Sequence, residues 1–329
     1  MVDKRSKELV AITNAELPRA AQLPGLGADL EQCSVSGLSS GAFMTVQLHL
    51  AHSSMFVGAG IIAGGPYRCA ESFRDAAPIA EDANVQTACF VCMSPLTPEL
   101  GPKPERLAQL ARETARDELI DPVRHLAGQR LYMFTGTKDR VVYSSIVAAT
   151  RRFYELLGVP SAQIRYVSDV PAGHAILTND IADNPTDANR PPYINRWDSP
   201  RMQSWDILEH IYGQLNAPTE RLTGRLLRFD QREFLGGSQR SSMSAYGYAY
   251  VPRAVEEGAR CRVHVVLHGC KQGVSYVNVA AGRPDLANHA PFGDRYVAHT
   301  GYNEIADTNQ IVILYPQVEG VDDGRVQNP

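Results

Sequence analysis

The sequence Gly37-Leu38-Ser39-Ser40-Gly41 fits the pattern G-x-S-x-G. In this pattern a strand meets a helix at a sharp turn, and the central serine stands clear of the sheet. The flanking glycines carry no Cβ, so neighbouring backbone can approach the turn closely. A glycine- and serine-rich loop would give the same five letters, but a short strand-like run precedes them and a helix is predicted directly after them. The stretch therefore predicts a strand–turn–helix unit with Ser39 as a nucleophile.

Outward from this unit, segments of alternating character predict strands and helices in turn. The predicted strands are Val57–Ala63, Arg130–Thr135, Gln163–Ser168, Arg262–Leu267 and Ile311–Tyr315. The predicted helices are Ala42–Ser53, Glu105–Glu118, Ser144–Leu157 and Ser204–Tyr212. Two further segments, Tyr67–Pro104 and Asn184–Arg201, are predicted to be loops, and Leu226–Tyr250 is predicted to be an antiparallel segment. The alternation predicts an α/β fold, with a central, mostly parallel sheet and helices on both faces.

The composition of the 329-residue chain indicates a globular protein, since 44% of its residues are hydrophobic and 21% are charged. Its net charge of -4 offers no basic surface, so neither nucleic acid nor a membrane surface is a predicted partner. No apolar run reaches the roughly 18 residues of a membrane-spanning helix. Residues 1–30 are polar and broken by prolines and glycines, which predicts an N-terminal arm followed by a single domain at 31–329.

The cysteines allow several interpretations. Their even number favours an oxidising compartment, although no signal peptide is visible at the N-terminus. Cys89 and Cys92 form a lone CxxC, and a zinc site would need a second ligand pair that does not follow. Packing thiols or disulfides are the favoured interpretation, and no metal or cofactor is predicted. The six cysteines are Cys33, Cys69, Cys89, Cys92, Cys261 and Cys270.

A serine nucleophile needs a base to take its proton and an acid to orient that base. In α/β-hydrolases the chain order is serine, acid, histidine. Asp139 follows a predicted strand, and one helix and one strand later His174 lies in a loop. An aspartate in a turn is more often a solvated surface residue, so this order is what predicts Asp139 as the acid and His174 as the base. The other histidines lie in predicted helices or a strand, precede a glycine, or follow no suitable acid: His49, His52, His125, His210, His264, His268, His289 and His299.

The oxyanion of an acyl-transfer intermediate needs two backbone N–H donors. One normally belongs to the residue after the nucleophile, here Ser40. The other comes from a loop after a strand that carries a His-Gly motif, and Val265–Cys270 matches that motif. Cys270 is therefore the second predicted donor, and His268 is predicted to be structural.

The order of these strands is unusual. In most α/β-hydrolases the His-Gly strand precedes the nucleophile strand, whereas here it follows. A sheet can keep its arrangement when the chain begins at a different strand, provided that the termini lie close together. The order therefore predicts a circular permutation, with the strands at 262–267 and 311–315 beside the nucleophile strand.

Three separated motifs carry a family resemblance. They are CSVSGLSSGAFM at 33–44, LHGCKQ at 267–272, and GYNEIADTN at 301–309 with ILYPQ at 313–317. Together they resemble the circularly permuted poly(3-hydroxybutyrate) depolymerases. The resemblance covers nearly the whole chain from Cys33. It implies a single-domain α/β-hydrolase, secreted or periplasmic, that cleaves polyester or oligoester chains of short hydroxyalkanoates.

The resemblance also implies roles for particular residues. Ser39, Asp139 and His174 would form the catalytic triad, with the N–H groups of Ser40 and Cys270 as oxyanion donors. Cys33 and Cys69 resemble a disulfide pair of the family, which would brace the nucleophile strand.

The chain departs from the family in one place. Family members continue after the Tyr-Pro-Gln strand into an Asn-Pro-x-Gly-Cys-Trp-Asp-Trp segment, whose first tryptophan lines the substrate crevice. This sequence ends at Gln327-Asn328-Pro329, where that segment would begin. Its two tryptophans, Trp197 and Trp205, lie in no matching motif. We therefore expect the domain to lack the family's C-terminal segment.

Two rival functions stay open at this point. A feruloyl or acetyl-xylan esterase would use the same scaffold and the same triad on a different ester. A non-catalytic protein that binds a polyester or a carbohydrate would keep the fold without the reaction.

Overall fold

The computed structural model of the protein describes residues 22–72, 83–236, 242–274, 276, 279–280, 283–284 and 293–318. Its strands are β1 (Cys33–Leu38), β2 (Phe56–Ile62), β3 (Arg130–Phe134), β4 (Ile164–Val167), β5 (Ile176–Thr178), β6 (Ile194–Arg196), β7 (Arg225–Asp230), β8 (Tyr246–Val251), β9 (Arg262–Leu267), β10 (Val279–Ala280), β11 (Arg283–Pro284) and β12 (Ile311–Tyr315). Its α-helices are α1 (Ser40–Ala51), α2 (Ala83–Phe90), α3 (Pro104–Arg116), α4 (Ser144–Leu156), α5 (Gln203–Tyr212), α6 (Arg253–Glu256), α7 (Arg295–Ala298) and α8 (Tyr302–Asn309).

Parts of two predictions lie outside the described residues. The predicted N-terminal arm is described only from residue 22, and there Leu23, Leu26 and Ala28 pack against a buried cluster that includes Phe229 and Val312. The chain end, where the family's C-terminal segment would begin, lies beyond the described range.

Eight of the described strands form one sheet in the order β4-β3-β2-β1-β9-β12-β8-β7. The strands from β4 to β12 in that order are parallel to their neighbours, whereas β8 runs antiparallel to β12 and β7 antiparallel to β8. The predicted α/β fold with a mostly parallel sheet is confirmed. The strands β9 and β12 follow β1 in the sheet, as the permuted order predicts.

Helices cover both faces of this sheet. On one face α1, α3 and α4 bury Val46, Leu107 and Phe153, and on the other face α5 and α8 bury Ile207 and Ile305. Each such apolar side chain stabilises the fold by roughly 2 kcal/mol. Packing on two faces holds the carboxyl ends of the parallel strands in place, and β1 leads into Ser39 at that edge.

Two segments predicted to be loops contain regular structure. The first, Tyr67–Pro104, contains α2, and the second, Asn184–Arg201, contains β6, which pairs with β5. The strand β6 has three residues, too few to show a periodic pattern in the sequence. It is held by the buried Asn195, whose Nδ2 donates to backbone oxygens within the same loop.

The implied Cys33–Cys69 disulfide is wrong, because Cys69 is bonded to Cys92. Cys33 begins β1 opposite Phe56, at the amino ends of the two strands, whereas Cys69 follows the carboxyl end of β2. A disulfide needs Cα atoms within about 7 Å, whereas Cys33 lies beside the amino end of β2 and Cys69 follows its carboxyl end. Cys33 is a buried free thiol, and burial raises its pKa to about 11. The observed bond joins cysteines 23 positions apart, a loop length for which a disulfide stabilises by about 3 kcal/mol.

A chain of buried polar groups lies beneath the nucleophile turn. His264 of β9 sits between two serines of β1, with Nδ1 2.6 Å from Ser34 Oγ and Nε2 2.8 Å from Ser36 Oγ. Ser34 and Ser36 also contact the hydroxyls of Tyr212 and Tyr302, at 2.6 and 2.7 Å. His264 is fully buried, and burial lowers its pKa to about 3. The imidazole is therefore neutral in the folded protein.

We expect the free energy of unfolding to fall as the pH falls below 6.5, because buried histidines, His49 and His264 among them, cannot take up protons in the fold. Burial lowers the pKa of His49 to about 4 and that of His264 to about 3, from an ordinary value of 6.5. Between pH 6.5 and the lowered pKa of each histidine, the unfolded chain binds a proton that the folded protein does not. Each histidine then lowers stability by about 1.4 kcal/mol per pH unit.

Urea unfolding at a series of pH values measures this slope. His264→Gln should remove the share of one histidine, whereas His52→Gln, at an exposed position, should keep the wild-type slope. An identical slope in His264→Gln and in the wild type would contradict the assignment.

Candidate active site

Ser39 lies at the turn between β1 and α1. Its backbone has φ 56° and ψ −124°, a conformation uncommon for a residue with a side chain. Two hydrogen bonds hold the turn: Ser39 N–H donates to Ile62 O at 2.9 Å, and Phe43 N–H donates to Ser39 O at 2.9 Å. The strand–turn–helix unit that the sequence predicts is present.

The two glycines of the motif are required by close packing. A Cβ at Gly37 would lie 2.4 Å from the backbone carbonyl of Gly41. A Cβ at Gly41 would lie 2.2 Å from Leu267 O in β9. Both neighbours are backbone atoms, so no side-chain movement relieves the clash. The motif thus lets the turn pack directly against β9, which brings the loop after β9 to Ser39.

Asp139 and His174 form a buried pair in the loops after β3 and β4. His174 Nδ1–H donates to Asp139 Oδ2 at 2.8 Å, and the two side chains are 2% and 1% exposed. Asp139 Oδ1 accepts the N–H groups of Val141 and Val142, at 2.8 and 2.9 Å. An Nδ1–H that donates to the carboxylate leaves Nε2 of the neutral imidazole as the acceptor nitrogen. A general base requires that state.

Ser39 and His174 line one cleft of about 180 Å³, so the structure brings the predicted nucleophile and base together. Met93 and Val141 contribute apolar walls to it. Tyr193 also lines the cleft, and its ring packs edge-on against the ring of His174, with centroids 5.5 Å apart. The pocket therefore combines an oriented imidazole with an apolar lining.

The loop after β9 passes directly beside the nucleophile turn. A Cβ at Gly269 would lie 3.1 Å from Ser39 Cβ, and Cys270 Sγ lies 3.3 Å from Ser40 Oγ. Ser40 is the first residue of α1, so its N–H has no acceptor within the helix. Gly269 N–H donates to Gln272 Oε1 at 2.7 Å, and the next N–H along the loop is that of Cys270. The two residues predicted as oxyanion donors therefore lie next to each other at Ser39.

Gln272 and His268 support this loop from below. Gln272 is 2% exposed, and its Nε2 donates to Pro192 O at 2.7 Å, which ties the loop to the segment that carries Tyr193. His268 Nδ1–H donates to Gly269 O at 2.9 Å, and burial lowers the pKa of His268. A neutral, buried His268 agrees with its predicted structural role.

Sequence reasoning missed three residues that shape the site: Tyr193, Gln272 and Asn189. Tyr193 and Asn189 lie in the segment predicted to be a surface loop, and no motif marks them. Gln272 belongs to the motif LHGCKQ, which was the one available signal.

In the described part of the chain no group of three or more His, Cys, Asp or Glu side chains could hold a metal ion, and none of the helices described is long and apolar enough to span a membrane.

Two known proteins with similar sequences are polyhydroxybutyrate depolymerases. No protein-family model matches the chain. The chain is 39% identical over 303 residues to a poly(3-hydroxybutyrate) depolymerase of Delftia acidovorans, a match that covers 91% of this chain and 54% of that protein. It is 34% identical over 318 residues to a polyhydroxybutyrate depolymerase of Talaromyces funiculosus, which covers 94% of this chain and 80% of that protein. The chain thus spans about half the length of the first relative and most of the second.

Solved structures agree with these relatives. A crystal structure of PHB depolymerase from Penicillium funiculosum matches with a TM-score of 0.71 and 32% identity, over 91% of this chain and 83% of that one. A PHB depolymerase complexed with an R3HB trimer matches with the same values. Sequence identity above 30% along nearly the whole chain, together with the same fold, shows a relationship in sequence as well as in architecture. The chain therefore belongs to the poly(3-hydroxybutyrate) depolymerase family.

Proposed function

We propose that the protein is a serine esterase that hydrolyses the ester bonds of poly(3-hydroxybutyrate) and its oligomers. The observation that carries this proposal is the cleft that Ser39, at its strained turn, lines together with His174, whose imidazole contacts the buried Asp139. The substrate is supported by the named relatives, one of which is complexed with an R3HB trimer.

In the proposed reaction, His174 Nε2 takes the proton of Ser39 as its oxygen attacks the ester carbonyl. Asp139 stabilises the imidazolium and keeps the proton on Nδ1. The imidazolium then gives its proton to the leaving alcohol, which leaves an acyl group on Ser39. A water molecule, deprotonated by His174, attacks this acyl-enzyme. The imidazolium returns that proton to the Ser39 oxygen as the serine–acyl bond breaks and the acid leaves.

The negative charge on the tetrahedral oxygen is held by the N–H groups of Ser40 and Cys270. The position of the two residues supports this assignment, since Ser40 directly follows Ser39 and Cys270 Sγ lies 3.3 Å from Ser40 Oγ. One such donor typically contributes about 10²–10³-fold to kcat. The apolar side chains of Met93 and Val141 in the same cleft suit a methyl-bearing aliphatic chain rather than a sugar.

A secreted or periplasmic location is part of the proposal. The Cys69–Cys92 disulfide supports it, because disulfides form and persist in oxidising compartments.

We expect the purified protein to release 3-hydroxybutyrate and its short oligomers from a suspension of the polymer, and to hydrolyse p-nitrophenyl butyrate. Acetylated and feruloylated xylan serve as comparison substrates, and liquid chromatography with mass spectrometry identifies the products. The relatives and the apolar cleft lead us to expect little acid from either xylan.

The other outcomes select a rival function. Efficient release of ferulate or acetate without release from the polymer would assign the site to a plant-polysaccharide esterase. No ester turnover, combined with no adduct at Ser39 from a serine-reactive phosphonate, would leave only a binding protein.

A further inference from the structure

Asn189 lies in the loop between β5 and β6, and its side chain contacts both loops that carry the acid and the base. Its Oδ1 accepts the N–H of Arg140 at 2.9 Å and the N–H of His174 at 3.1 Å. Its Nδ2 donates to Lys138 O and to Asp187 O, both at 3.0 Å. An amide side chain has two donor hydrogens and one acceptor oxygen with two lone pairs, so all of its hydrogen-bonding positions are used.

These contacts surround the catalytic pair. Lys138 and Arg140 are the two neighbours of Asp139, so the amide holds the peptide groups on both sides of the acid. The same oxygen that accepts from Arg140 also accepts from the backbone of the base, His174. One side chain therefore bridges the residues next to the acid and the backbone of the base, which are 35 positions apart in the sequence.

We propose that Asn189 is a positioning residue, which holds the carboxylate of Asp139 and the imidazole of His174 in hydrogen-bonding contact. The inference rests on the serine-esterase function proposed above. Asn189 acts through the backbone of its neighbours and does not reach the substrate. Because the amide is neutral, it does this without adding a charge beside the imidazole.

The two loops have other contacts that keep them folded without Asn189. Thr137 N–H donates to Val170 O at 2.8 Å, and Lys138 N–H donates to Ala172 O at 2.9 Å. Both bonds lie nearer the strands than the tip of the Asp139 loop. Loss of the amide should therefore loosen the tip while the sheet stays intact, so the effect falls on geometry rather than on folding.

The first test compares Asn189→Ala with Asn184→Ala. Asn184 lies in the same loop, but its Nδ2 donates only within that loop, to Arg190 O and Pro191 O at 3.1 and 3.4 Å. With p-nitrophenyl butyrate, Asn189→Ala should lower kcat by roughly 10²-fold, the effect of a misplacement of about 1 Å, with little change in KM. Asn184→Ala should keep the kcat of the wild type.

The second readout does not need turnover. The proton between His174 Nδ1 and Asp139 gives a far-downfield proton NMR signal, which should shift or broaden in Asn189→Ala and stay in Asn184→Ala. If Asn189→Ala does not fold, Asn189→Asp decides, because it keeps an acceptor oxygen and loses the donors to Lys138 and Asp187. We expect it to lower kcat and to perturb the NMR signal as well.

The inference is overturned if the folded Asn189 variant keeps the kcat of Asn184→Ala and an unchanged downfield signal. Its failure is distinct from failure of the proposed function. In the latter case the wild type itself would hydrolyse no ester, while the downfield signal would still report on the contact between Asp139 and His174.

Discussion

Replacement of Ser39 by alanine should abolish ester hydrolysis, with kcat reduced on the order of 10⁶-fold, as when the serine of a comparable triad is removed. The reason is that the proposed acyl-enzyme forms on Ser39, and in the variant His174 Nε2 would have no Ser39 hydroxyl to deprotonate. The change removes one oxygen from a side chain that is 7% exposed, so the fold should be unaffected. Stopped-flow and steady-state assays on p-nitrophenyl butyrate measure the loss of kcat. Hydrolysis of a polymer film measures the loss of activity on the proposed substrate.

A double variant makes this test sharper. Because the proposed reaction uses the serine and the histidine as a unit, Ser39→Ala combined with His174→Ala should be hardly slower than Ser39→Ala alone. Ser40→Ala is the matched control, because it removes the adjacent hydroxyl and keeps the backbone N–H. It should lose far less activity than Ser39→Ala. Retained turnover in Ser39→Ala, or additive losses in the double variant, would refute the assignment of the nucleophile.

The convergence of the proposed acid and base could be predicted from chain order because of a property of parallel sheets. Residues just after the carboxyl ends of neighbouring parallel strands meet at one edge of the sheet. Ser39, Asp139 and His174 each follow such a strand, so a linear sequence was enough to predict that they converge. Bounds of β9 and β12 were also predicted correctly, since short apolar runs with clear ends mark buried strands.

Other features depend on contacts that no local pattern records. The pairing of Cys69 with Cys92 is set by how the segment after β2 folds back, and a cysteine spacing does not contain that information. In the sequence Asn189 is indistinguishable from the other polar residues of its loop, and only the structure shows its four side-chain hydrogen bonds. Tyr193 likewise packs against His174 because β5 pairs with β6, a contact that the sequence does not reveal. Supporting residues of a site are thus harder to predict than the residues they support.

Asp139→Asn should lower kcat by about 10⁴-fold, the effect of a wrong histidine tautomer in a triad. Asp139 Oδ1 accepts two backbone N–H groups, from Val141 and Val142. An asparagine would keep its oxygen there, because its nitrogen cannot accept those bonds. Its NH₂ group would then face His174 Nδ1 and donate to it. The imidazole would have to carry its proton on Nε2, the atom that should deprotonate Ser39.

This prediction separates a triad from a simple serine–histidine pair. Asp169→Asn is the control, since it removes one negative charge from an exposed position five residues before His174. It should retain nearly full activity, which would show that the loss at Asp139 comes from the tautomer rather than from the net charge. Thermal melting checks that both variants fold, and nitrogen-15 NMR of the histidine reports which ring nitrogen carries the proton. If Asp139→Asn keeps the proton on Nδ1 and retains its rate, Asp139 does not orient the base, and another acceptor for His174 Nδ1 must be sought in the loop after β4.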